Sequence, residues 1–221
     1  MPVYTIAQLY DLSKTIAAPL LSGLTYHWEA LAGLSDFILE LGAGLPADRF
    51  DHPAEGVWIA KSATVAPSAF VGGPCIIDEE AEVRHCAFIR GSAIVGKGAV
   101  VGNSTELKNA LLFDGVQVPH FNYVGDSVLG YKAHLGAGVI TTNVKSDKSL
   151  VTVKAADEAI DTGRKKVGLA AGDFVEVGCN SALSPGCILG RGAQVYPVSH
   201  VRGQVPENHI FKAQDNIVPR G

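Results

Sequence analysis

The residues with the clearest chemical potential lie between positions 90 and 143. His120 stands in the run Pro119-His120-Phe121-Asn122-Tyr123-Val124-Gly125-Asp126. An imidazole titrates near neutral pH without assistance and suits the removal of a proton from a nucleophile. Arg90 and Lys108 are 18 residues apart, and each directly follows an aliphatic residue, Ile89 or Leu107. Two cations held in register clamp a phosphate group better than either alone. Tyr123 and Asn143 add polar groups in the same window. Taken singly, His120 would more often satisfy a turn, and the two cations would be solvated surface charges. The chain that carries them decides whether they meet.

That chain is periodic. A large apolar residue returns every six positions as Ile59, Val65, Val71, Ile77, Val83, Ile89, Val95, Val101, Leu107 and Phe113. A second inward candidate, usually small, sits two places before most of these: Ala63, Ala69, Cys75, Ala81, Ala87, Ala93, Ala99 and Thr105. No helix or ordinary strand keeps a period of six for so long, whereas a β-solenoid does, each hexad forming one short side of a coil. At three hexads per turn the repeats make roughly six or seven coils. Eighteen residues are then one coil, so Arg90 and Lys108 should stack on successive coils and project outward. After Phe113 the steps loosen through Val118, Val124, Leu129, Leu135 and Thr141. An irregularity in a strict repeat is where a site is expected.

Residues 1–50 do not follow the rule of six. A first short helix is expected after Thr5, and a second carries Leu24, Trp28, Leu31, Leu34, Phe37, Ile38 and Leu41 at helical spacing, ending at Gly42 and Gly44. They are expected to cap the open first coil. Residues 51–215 form the solenoid, interrupted by a moderately basic insertion at 144–168 that should protrude as a loop or hairpin. Residues 216–221 form a tail. The chain has 47% apolar and 18% charged residues and a net charge of −4, which fits a globular fold and argues against a general nucleic-acid binder. Cys75, Cys86, Cys179 and Cys187 show no paired spacing and should be small buried hydrophobes in a reducing compartment. Neither a signal peptide nor an 18-residue apolar span is apparent, so a soluble cytoplasmic protein is expected, bound to neither nucleic acid nor membrane.

The hexads, with Gly or Ala often after the aliphatic position, resemble those of the hexapeptide acyltransferases. Three segments are more specific: Gly102 to Lys108, Pro119 to Asp126, and Leu135 to Asn143. They resemble the C-terminal acetyltransferase domain of bifunctional N-acetylglucosamine-1-phosphate uridylyltransferases. The insertion, with Thr162-Gly163-Arg164-Lys165-Lys166, Gly178-Cys179-Asn180 and Pro185-Gly186, is closer to archaeal-type sugar-phosphate nucleotidylyltransferases. The resemblance covers roughly residues 57–215. It implies an all-β solenoid of the left-handed parallel β-helix class, a homotrimer with sites between subunits, and acetyl-CoA as acyl donor, with no metal required. It also implies His120 as general base, Arg90 and Lys108 as phosphate contacts, Tyr123 and Asn143 as acceptor contacts, and the Ala137 N–H beside the thioester. His134 stands where the bacterial enzymes have an asparagine in the sugar pocket. Cys179 falls on the coenzyme side, and Lys165, Lys166 and Lys212 are expected to reach coenzyme A phosphates.

The expected activity is N-acetylation of an amino-sugar 1-phosphate, glucosamine 1-phosphate first. A non-catalytic trimeric solenoid that binds sugar nucleotide or a partner enzyme is the main alternative. A metal-dependent hydratase would need three converging histidines, but His85, His120 and His134 lie 35 and 14 residues apart and share no simple coil register. No nucleotidyl transfer is expected, because 50 residues before the solenoid cannot hold a doubly wound domain.

Overall fold

The computed structural model describes residues 1–221 and is a parallel β-helix, the solenoid class read from the hexads. Each coil has three short faces. The first face stacks strands at Val57–Ala60, Cys75–Ile77, Ala93–Val95, 110–112, 127–129, Leu169–Ala171, Cys187–Leu189 and Gln204–Val205. These are eight rungs, more than the six or seven expected. The second face runs through Thr64–Val65, Val100–Asn103, Gln117–His120, His134–Leu135 and on to His209–Ala213. The third carries Phe70–Val71, Phe88–Ile89, 106–107, 123–124, Ile140–Thr141, Ala182–Leu183 and His200–Val201. The hexad residues point inward: Ile77, Ile89, Val95, Val101 and Leu107 are fully buried.

At each end an antiparallel strand covers the terminal rung of one face. Phe50–Ala54 pairs with Val57–Ala60 at the start. Asn216–Pro219 pairs with His209–Ala213 at the finish, so residues 216–219 are a closing strand and not a tail.

The N-terminal segment lies elsewhere than expected. Its helix His27–Ala43 packs along the first face, from Trp58, against which Gly42 sits, to Tyr123–Leu129, and not across the open end of the first coil. The cause is in the strands. Successive side chains alternate sides, so the middle residues Ile76, Ile94, Leu111, Val128 and Ile188 point outward, yet all are buried. Leu9, Leu21, Leu31, Leu34 and Ile38 supply the apolar cover. The segment is pinned along its length. Tyr4 N–H donates to Gln204, Asp11 N–H donates to the Asp173 carboxylate, the Tyr10 hydroxyl donates to the Val128 carbonyl, and Asp114 N–H donates to the Lys14 carbonyl.

The insertion contains the expected hairpin, Thr152–Lys154 with Ala159–Asp161. It is folded back on the coil, with Val151 and Val153 fully buried beside Gly186. The cysteines divide: Cys75 and Cys187 fill inward positions, and burial pushes both thiols up to about 12. Cys86 and Cys179 sit exposed at a corner instead of in the core.

Two predictions follow from this packing. A Cβ on Gly102 would lie 1.6 Å from the Pro119 carbonyl oxygen of the next coil. Gly102→Ala should therefore cost about 3 kcal/mol and lower the melting temperature by roughly 6–12 °C. The enclosed His27 ring has no partner at either nitrogen, and burial lowers its pKa from 6.5 to about 3. The fold holds the neutral form while the unfolded chain takes up a proton below its ordinary pKa, so stability is intact above pH 6.5 and falls as pH drops toward 3. The slope should approach about 1.4 kcal/mol per pH unit, and His27→Leu should flatten it in denaturant titrations.

Candidate functional site

Coil length places the site. Phe88 pairs with Glu106 after 18 residues, but Glu106 pairs with Tyr123 and Tyr123 with Ile140 after 17 each. The missing residue is lost at one corner, between the third and first faces. Ile89 to Val95 takes six steps, while Leu107 to Leu112 and Val124 to Leu129 take five. Leu112, and not Phe113, therefore occupies the rung of Val95; Phe113 follows it and packs on Tyr10 at 5.1 Å. The shortened corner turns through Asn109 at φ 51° and Asp126 at φ 46°. Short polar side chains tolerate this left-handed geometry best among residues with a Cβ.

At that corner Asp126 is the hub. Its carboxylate is almost wholly buried and accepts from Lys108 Nζ at 2.9 and 3.0 Å, Asn109 Nδ2 at 2.9 Å and Asn143 Nδ2 at 2.6 Å. Asn143 also donates to the Tyr123 hydroxyl at 3.2 Å. Burial raises the Tyr123 pKa, helped by Asp126 and Glu106 and opposed by the Asn143 hydrogen bond. Arg90 stacks one rung above Lys108, as the 18-residue spacing required, and pairs with Glu106 at 2.8 Å. The insertion returns to this corner, and Gly163, Arg164, Lys165 and Lys166 complete an open pocket of about 410 Å³ with Lys108, Asn109 and Asp126. No apolar side chain lines it. Lys108 is committed to the one carboxylate, so the three insertion cations leave the pocket with a net positive charge.

A second group occupies the corner between the second and third faces. His120, exposed, belongs to a column in which Gly138 N–H donates to the His120 carbonyl and Asn180 N–H donates to the Ala137 carbonyl. Ala137 and then Cys179 follow His120 on successive rungs. The Ala137 N–H donates to no acceptor in the chain. The His120 backbone is fixed by the buried Asn122, which accepts from His120 N–H at 3.2 Å and donates to the Gly136 carbonyl at 2.8 Å. No hydrogen bond joins the His120 ring to the Asp126 cluster.

The family model described as the GMPPB C-terminal domain matches residues 71–209. The chain belongs to this family. A "Bifunctional sugar-1-phosphate nucleotidylyltransferase/acetyltransferase" of Sulfurisphaera tokodaii is 31% identical over 160 residues, covering 64% of this chain and 40% of the relative. A "Bifunctional protein GlmU" of Methanococcus aeolicus is 28% identical over 197 residues, covering 79% and 48%. The chain spans less than half the length of these relatives. Among solved structures, the acetyltransferase domain of PglB from Neisseria gonorrhoeae in complex with acetyl coenzyme A is 17% identical over 74% of this chain and 57% of its own, with a TM-score of 0.34. Perosamine N-acetyltransferase from Caulobacter crescentus, solved with CoA and GDP-perosamine, is 19% identical over 75% and 56%, with a TM-score of 0.31.

The remaining expected site residues scatter. His134 lies on the second face, its Nδ1 2.8 Å from Glu176 Oε2, away from the Asp126 cluster. Lys212 lies on the last rung of the second face, its Nζ 5.7 Å from the Tyr196 ring centre. Lys165 and Lys166 face Lys108 and not the His120 column. His85 and His120 do share a column, with Asn103 between them, because the coil from Asn103 to His120 has lost a residue. His85 bonds Ser68, and no three His, Cys, Asp or Glu side chains converge as a metal set. Asp126, Asn109 and Asn122 were missed as site residues. The five-residue step at Leu107–Leu112 was the available signal for the first two.

Removing the Asp126 carboxylate leaves Lys108 partly buried without its counter-ion. Asp126→Ala should cost about 3–5 kcal/mol, seen as a lower urea midpoint. Asp126→Asn, which keeps the volume, should recover part of that loss.

Proposed function

We propose that this solenoid transfers an acetyl group from acetyl-CoA to the amine of an amino-sugar 1-phosphate, glucosamine 1-phosphate first, in the cytoplasm. The observation that carries the proposal is the sorting of polar groups onto two corners. One holds the cation-lined pocket of Lys108 and the insertion, with Tyr123 and Asn143 bonded into the Asp126 cluster beside it; the other holds an unencumbered imidazole, His120, one rung from the free N–H of Ala137. The acetyltransferase activity in the names of relatives such as that of Sulfurisphaera tokodaii agrees with such chemistry.

In the proposed reaction Arg90, Lys108 and the insertion cations hold the sugar phosphate, and Tyr123 and Asn143 orient the acceptor. The amine nitrogen attacks the thioester carbonyl as His120 takes its proton. The C–N bond forms, the Ala137 N–H supports the oxyanion, and the C–S bond then breaks. The proton passes from His120 to the departing thiolate. Cys179 lies on the next rung, where the pantetheine arm would pass. His134 and Lys212, both on the second face, would lie at the margins of such a site.

One chain keeps the two corners apart, so a neighbouring copy brings the His120 corner of one subunit to the Lys108 corner of the next. A homotrimer with three shared sites meets that need. Sedimentation should give three times the chain mass.

His120→Ala should lower turnover by about 10²–10⁴-fold in a thiol-release assay with acetyl-CoA and glucosamine 1-phosphate, while coenzyme A binding persists. Unchanged turnover would remove His120 from the mechanism. Absence of thiol release by the wild-type chain with any amino-sugar phosphate would favour a binding module.

A further inference from the structure

The insertion leaves the coil at the shortened corner and has a pocket on each of its sides. The one with Lys108 and Asp126 is described above. The other, about 760 Å³, lies between the outgoing arm of the insertion and the last coils. Its floor continues the same outward column as Arg90 and Lys108. Thr142 N–H donates to the Leu183 carbonyl and Ser184 N–H to the Val201 carbonyl, which places Thr142, Ser184 and Arg202 on successive rungs.

The charges around this second pocket are unbalanced. Asp147 is satisfied locally: it accepts from Ser149 N–H at 3.0 Å and Ser149 Oγ at 2.8 Å, and Lys145 stands 3.9 Å away. Lys154 and Arg202 have no carboxylate partner. His200 shares a 2.9 Å hydrogen bond between its Nε2 and Ser184 Oγ, leaving Nδ1 available. Two free cations, an imidazole and a hydroxyl line a cavity with a single apolar side chain. That donor set matches phosphate oxygens, and the volume lies within the range of roughly 300–1,000 Å³ usual for small-ligand pockets.

We propose that this pocket is a second phosphate site, held by Lys154, Ser184, His200 and Arg202, for a phosphate monoester or diphosphate of a nucleotide-bearing ligand. Two sources carry such chemistry, the phosphorylated nucleotide of coenzyme A and the diphosphate of a sugar nucleotide. The site is defined by binding and stands whether or not acetyl transfer occurs.

Calorimetric titration of the full chain tests it, with inorganic pyrophosphate, coenzyme A, 3′-dephospho-coenzyme A and a uridine diphosphate sugar as probes. The double variant Lys154→Ala/Arg202→Ala changes only exposed side chains, and its melting curve checks the fold. It should lose about tenfold or more in pyrophosphate affinity, while the control Lys61→Ala/Lys132→Ala loses none. A loss for coenzyme A but not its dephospho form assigns the pocket to the 3′-phosphate. A loss for the uridine diphosphate sugar, or for both coenzyme forms, assigns it to a diphosphate. No pyrophosphate binding by the wild-type chain, equal affinities in wild type and variant, or an equal loss in the control overturns the proposal.

Discussion

Everything in this molecule depends on the parallel hydrogen bonding of one coil to the next, because that bonding turns positions in sequence into columns in space. A residue's chemical neighbours are those one coil above and below, and the length of the coil decides which they are. With 18 residues per coil the columns run straight. With 17, a corner tightens and the chain places Lys108-Asn109 directly above Gly125-Asp126. The cost is two residues in left-handed backbone. The gain is a buried carboxylate surrounded by donors, which an exposed loop would not hold in place.

That carboxylate organises the electrostatics of the shortened corner. Asp126 orients Lys108, Asn109 and Asn143, and through Asn143 it reaches Tyr123. It also leaves the insertion cations as the uncommitted charges of the pocket. A buried ion pair of this kind is weak evidence for stability, since desolvation offsets much of the attraction. Its value here is positional. The opposite corner is prepared differently, by the buried amide of Asn122 holding the His120 backbone while the ring stays free.

The solenoid was legible because six-residue periodicity has no competing explanation, and the stacking of Arg90 on Lys108 followed from arithmetic on coil length. Asp126 was not legible in the same way. A carboxylate after Val124-Gly125 reads as a solvated turn until the loss of one residue is noticed, and Phe113 disguised that loss by supplying an apolar residue at the regular position. Cys86 and Cys179 were misjudged because composition predicts burial from residue type, whereas corner position decides it. The three-residue apolar runs Cys75-Ile76-Ile77 and Ala93-Ile94-Val95 did record that the first face is covered on both sides. Periodicity within a hexad cannot say what covers it, and the N-terminal helices were accordingly expected at the end of the coil stack. Residues grouped by their place in one coil, such as Lys165 with Lys108, required the path of the insertion, which no repeat encodes.

The N-terminal segment lying along the first face has a mechanical consequence. A stack in which each coil touches only its neighbours can melt progressively from either end. Here one continuous stretch of chain grips Gln204 near the last coil, Asp173 and Val128 in the middle, and the outward apolar row of the early coils. Peeling away a terminal coil therefore strains contacts many rungs distant. The segment acts as a longitudinal tie that converts a nearest-neighbour array into a single cooperative unit, so hydrogen exchange in the end coils is coupled to that of the centre.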